Sequence, residues 1–148
     1  MISKENSYAA VINSLPKNDW LPLIELIPEI ERFKIFANIS ESLKQLEQGK
    51  LNMHPYKEHP IIQQFRDVVY SIPIIIDFNW AGWHESHSMV GNKEFDYDSI
   101  DIPTKCKIIT AIVRNDRFCS GRLVEAFESG LMLKVLKSIL KQLKPVEF

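Results

Sequence analysis

The chain has 148 residues, 45% apolar and 25% charged, with a net charge of -1 and two cysteines. These values exclude a disordered chain, which lacks the apolar residues to build a core, and a disulfide scaffold, which needs more thiols. The whole chain, 1–148, is read as a single helical domain, because a chain of this length buries enough surface to stand without staples.

Charge is unevenly distributed. Residues 1–100 hold nine basic and fourteen acidic side chains, and residues 101–148 hold nine and five. Two complementary faces follow, within one molecule or between copies. The basic part is too dispersed for a typical nucleic-acid footprint, so nucleic acid is disfavoured as a partner. No purely apolar run exceeds five residues. That falls far short of the ~20 residues of a membrane span. No N-terminal run has the basic start and long apolar stretch of a secretory signal. A cytoplasmic protein with reduced thiols and no membrane partner is the expectation.

In chain order, residues 5–14 form a first helix with Tyr8, Val11, Ile12 and Leu15 on one side, closed by Pro16. Asn18 or Asp19 is a candidate cap for a second, with Pro22 in its first turn. Pro28 kinks that helix or starts another. Helical spacing then continues over 29–48 through Phe33, Phe36 and Ala37, up to Gly49. Residues 52–60 carry two prolines and read as a loop. Pro60 opens an amphipathic helix with Ile61, Phe65, Val68, Val69 and Ile72, ended by Pro73.

Residues 74–100 are the irregular, aromatic-rich segment. The three isoleucines have no convincing strand to pair with, so an extended plug into a helical core is expected. Asp101 or Ser99 caps the next helix, with Pro103 in its first turn and Ile102, Cys106, Ile109 and Val113 inward. A turn near 116–120, a helix through Leu123, Ala126 and Phe127, and a last helix with Leu133, Leu136, Leu140 and Leu143 complete the chain. The fold class is all-α, with about six helices.

Three motifs carry a resemblance: "TAIVRNDRFC" at 110–119, the G-x-L-x-x-A-F-E-x-G spacing over 121–130, and F-x-W-x-x-W at Phe78, Trp80 and Trp83. Together they resemble a bacterial family labelled as domain of unknown function 6508. The resemblance covers roughly residues 60–140. It implies a small, mostly helical fold and brings no mechanism. The family pattern reads F-D-W where this chain has Asn79, so no carboxylate is supplied there.

Several residues have the chemistry for a site. Arg114, Asp116 and Arg117 are either an ion-paired helix corner, with Asp116 accepting from Arg117 or capping the next helix, or a clamp for a phosphate or carboxylate. Phe118 would plug the core beside them. Cys119 has no histidine after it, so a small structural thiol is the simpler role. His84 and His87 are three apart, without the H-E-x-x-H of a zincin; no metal site and no cofactor are assigned. Trp80 and Trp83, with Phe78, Phe95 and Tyr97, either cover the core or line a pocket. The lysines at 134, 137, 141 and 144 form a solvated helix face.

No catalytic residue is named, and the leading expectation is a non-enzymatic binding or accessory domain. It would recognise a protein partner or a small anionic ligand through the 78–97 segment and the 114–119 corner, at Trp80, Trp83, His84, Arg114, Asp116 and Arg117. One alternative is a hydrolase or nuclease-like enzyme using Asp116, Arg117 and a histidine from 84–87. Another is a homo-oligomeric assembly module, such as a homodimer.

Overall fold

Prolines set most of the helix boundaries. The computed structural model describes residues 4–33, 37–38, 57–83, 89–90, 92, 94–118 and 121–143. Helix α1 (Lys4–Ser14) stops before Pro16, which caps a 3-10 helix, Lys17–Trp20. Ile12 of α1 is buried, whereas Val11 faces outward. Helix α2 (Leu21–Ile24) has Pro22 in its first turn, and α3 (Leu26–Glu31) follows after Glu25 alone. The break has a local cause. Pro28 has no N–H to give the carbonyl of Ile24, so the ladder cannot run through. Leu23, Ile27 and Ile30 still bury on one side.

Where it is described, the chain over 29–48 is not one unbroken helix: α3 ends at Glu31, and residues 37–38 lie in a strand pair. Arg32 caps α3, and the last turn tightens, with Arg32 N–H donating to Glu29 and Phe33 N–H to Ile30. The Phe33 ring lies 4.0 Å from the His59 ring, centroid to centroid. That long-range contact draws the chain off the helix axis. Ala37–Asn38 (β1) pairs antiparallel with Lys57–Glu58 (β2), Ala37 opposite Glu58. The rest of that predicted helix, at 34–36 and 39–48, lies outside the described residues.

Helix α4 (Pro60–Ser71) begins with Pro60 at its first position, and His59 Nδ1 accepts from Ile61 N–H at 3.1 Å. It ends because Ile72, preceding Pro73, is extended. Ile74 and Ile76 then bury as a plug, but through a turn and not an extended run, since Ile74 N–H donates to the Ile72 carbonyl at 2.7 Å. Among the described residues the plug has no strand partner. Ile76 N–H donates to the buried Thr110 hydroxyl at 3.0 Å, and that hydroxyl donates to the Cys106 carbonyl at 2.8 Å.

Thr110 belongs to helix α5 (Ile102–Asp116). Asp101 caps it, accepting from Thr104 N–H at 2.9 Å. Gly121 (φ 99°) and Gly130 (φ 84°) turn the chain into α6 (Arg122–Glu128) and α7 (Leu131–Leu143). Helix α5 packs against α1, α6 and α7; α7 also packs against α2 and α3, and α4 against α2 and α3. A single cluster of buried side chains joins all of them. In α7 the buried apolar residues are Met132, Val135, Leu136 and Ile139, with Leu133, Leu140 and Leu143 at the edge. A helix flanked on two sides needs a wider apolar arc than one leucine stripe.

With α2 and α3 counted as one interrupted helix, the elements described above make six helical units in an all-α fold, apart from the two-residue ladder. Among the described residues no helix is long and apolar enough to cross a membrane. Part of the charge asymmetry is resolved within the chain. Lys137 pairs with Glu31 at 2.6 Å, and Lys141 with Asp98 at 2.9 Å.

Candidate functional site

Asp116 ends α5 and starts α6. Its Oδ1 accepts from the backbone N–H groups of Gly121 and Leu123, both at 3.1 Å. Its Oδ2 accepts from Arg66 Nη2 of α4 at 2.7 Å. The side chain is only 10% exposed. The capping role foreseen for it is therefore present, but its ionic partner is Arg66, fifty residues away, and not the adjacent Arg117. The Arg117 guanidinium instead lies 5.7 Å from the Tyr70 ring centroid. Arg114 is half-buried on α5.

Phe118 does not plug the core. It is 78% exposed and stacks on Trp80, with centroids 6.0 Å apart and planes at 30°. Leu123, fully buried one turn later, occupies the inner position. The capping bonds fold the chain inward at Asp116, which leaves Arg117 and Phe118 on the outer side of the turn. Cys119, His54, His84 and His87 lie outside the described residues.

The segment preceding α5 is ordered by short-range bonds and rings. Asn79 Oδ1 accepts from Gly82 N–H at 3.2 Å, closing a turn. A Cβ on Gly82 would come within 2.6 Å of Asn79 Nδ2, so a larger residue there would have to push the Asn79 carboxamide aside. A carboxamide performs this turn as a carboxylate would. Phe78 and Trp83 meet edge to face at 5.6 Å, and Lys107 Nζ sits 5.4 and 5.8 Å from their centroids. Tyr97 is buried, packs edge to face on Phe95, and donates its hydroxyl to the Met89 carbonyl at 2.9 Å. Burial raises the Tyr97 pKa.

Between this segment and the last three helices lies a cavity of about 690 Å³. Trp80, Trp83 and Tyr97 line it from one side, and Ala111, Ile112 and Asn115 from α5. Arg122, Glu125 and Ala126 contribute from α6, and Lys134 from α7. Arg122 pairs with Glu125 at 3.3 Å, and both side chains are largely exposed.

Of the candidate residues, Trp80 and Trp83 line the cavity. Arg114, Asp116 and Arg117 do not; their neighbours Asn115 and Arg122 do. Sequence reasoning passed over Asn115, Arg122 and Lys134. A usable signal was present, since Ala111 and Asn115 are four apart, and Arg122, Glu125 and Ala126 fall at i, i+3 and i+4. Each set shares one helix face.

Among the described residues no three His, Cys, Asp or Glu side chains cluster as a metal would need. Cys106 is fully buried beneath the site, and burial holds its thiol far above the usual range. It is therefore unreactive.

No curated protein and no solved structure matches the chain. The family of unknown function DUF6508 matches residues 15–144, which include both the aromatic segment and the α5–α6 corner. With most of its length matched, the chain belongs to the DUF6508 family.

Proposed function

We propose that the protein is a non-catalytic binding domain whose cavity, between residues 78–97 and helices α5 to α7, takes a small anionic ligand. The observation that carries this is the meeting of Trp80, Trp83 and Tyr97 with Arg122 and Lys134 around one space of about 690 Å³. Small-molecule sites run from about 300 to 1,000 Å³, with mostly apolar walls and a few polar groups that orient the ligand. The same volume favours a small molecule over a protein partner.

The arrangement of Asp116 supports binding over hydrolysis. Its carboxylate already accepts three donors, so it is poorly placed to act as a base. Arg117, the other member of the hydrolase alternative, is turned to Tyr70.

The test is a fluorescence titration of the full chain with phenyl phosphate, a compact aromatic anion. Binding is expected to shift the emission of Trp80 and Trp83, with buried Trp20 contributing a constant background. Absence of any shift with phenyl phosphate and with a panel of aromatic carboxylates would sink the proposal. Release of phenol with time would favour the hydrolase instead.

A further inference from the structure

Among the described residues, Asn115 presents the clearest unused recognition group. It lines the cavity from α5, and among the described residues its carboxamide has no hydrogen-bond partner. A carboxamide carries a donor and an acceptor side by side in one plane. The ligand that satisfies both at once has an acceptor and a donor adjacent on one edge, as a nucleobase has. Asn92 adds to this. Its Oδ1 is held by Glu94 N–H at 3.0 Å, which leaves its NH₂ as a donor at the cavity wall.

The walls suit a flat ring. Ala111 and Ala126 keep two sides thin, and Trp80 and Trp83 supply aromatic surface for stacking. The anionic end has a matching group as well. The Arg122–Glu125 pair is solvent-exposed and so weakly held, which leaves the guanidinium fork open to a phosphate.

We infer that the ligand is a nucleotide-like small molecule: a nitrogen heterocycle with an adjacent donor and acceptor, joined to a phosphate, its ring edge read by Asn115 and its anion held by Arg122. This rests on the cavity reading above and names the ligand class. The cavity holds one such unit, which commits the inference to a mononucleotide-sized ligand and not to a strand.

The experiment titrates the full chain with the four nucleoside monophosphates, with phenyl phosphate, and with a short single-stranded oligonucleotide. At least one monophosphate is expected to bind about tenfold tighter than phenyl phosphate, the scale of satisfying a paired polar group. Asn115→Leu should remove that advantage and leave phenyl phosphate binding unchanged. Asn115→Ala, which removes the carboxamide without adding charge, should do the same, so a folding defect in one variant does not decide the matter. Arg122→Gln should weaken monophosphates and phenyl phosphate alike.

If every monophosphate binds no better than phenyl phosphate, or Asn115→Leu weakens both equally, the ligand class is wrong while the anion-binding cavity stands. If neither class binds, the cavity reading falls with it. Tighter binding of the oligonucleotide than of any monophosphate overturns the small-molecule commitment.

Discussion

Asp116 holds three stretches of chain with two oxygens, and single residues of this kind carry the sharpest predictions. Asp116→Ala removes both the α6 cap and the Arg66 pair in a site that is nearly dry, and should cost about 3–5 kcal/mol in thermal melts. Asp116→Asn keeps a cap acceptor and loses only the charge, so a smaller loss is expected; equal losses would assign the whole effect to the ion pair. Lys105 works in the opposite direction. It is fully buried, and its Nζ has no hydrogen-bond partner among the described residues. Burial pulls its pKa below 10.5, with Asp98 and then Asp101 opposing part of the shift. The folded state therefore binds fewer protons than the unfolded one as pH approaches 10.5, and this residue's contribution to stability rises with pH through that window. Lys105→Met should melt higher than the wild type by about 1 kcal/mol or more and lose that alkaline rise. A lower melting point would mean that the amine has a partner it needs.

At the scale of elements, two fastenings join irregular chain to helices. The isoleucine plug is tied to α5 by the Thr110 hydroxyl. Thr110→Val keeps the shape and leaves the Ile76 N–H buried without an acceptor, so about 1–3 kcal/mol should be lost, with faster hydrogen exchange at residues 74–76. The 3-10 turn Tyr97–Ser99 is fastened to α7. Asp98 accepts from Ser138 and Lys141, and Gln142 donates to the Ile100 carbonyl at 3.0 Å. The Ser138 and Lys141 bonds lower the Asp98 pKa below 3.8. A depressed carboxylate stabilises the fold above its unfolded value, and that contribution is lost as pH falls through the folded value. Acid titration should release the turn from α7, and Asp98→Asn should flatten this part of the acid transition. A transition unchanged in Asp98→Asn would rule out this fastening as its source.

For the whole molecule, the cavity sits where four segments converge, so a ligand there links the aromatic segment to α5, α6 and α7. A ligand that binds only the folded state should stabilise the protein by about 2.7 kcal/mol at a hundred times its dissociation constant. The melting temperature should climb with the logarithm of phenyl phosphate concentration. No climb, despite a fluorescence shift, would mean that the probe binds the unfolded chain equally well or quenches tryptophan without a specific site. The charge asymmetry between the two parts of the chain is also a whole-molecule property. In Lys137–Glu31 and Lys141–Asp98 it closes within one chain.

The helices, their proline-set ends and the Asp101 cap were legible because their causes are local: period, missing N–H groups and short side-chain bonds. So was the isoleucine plug, whose apolar run lacked any strand to pair with. The family could be read from three short motifs. What tertiary structure alone decided are contacts between residues far apart in sequence. No spacing rule says that Asp116 takes Arg66 rather than Arg117, or that Phe33 leaves a helical pattern to meet His59. Phe118 looked like core by residue type, yet the cap at Asp116 turned it outward. For the same reason the cavity gathered Asn115 and Arg122 rather than the more conspicuous Arg114 and Arg117. Helix faces are set by local period, but which face meets which is set by packing across the whole chain.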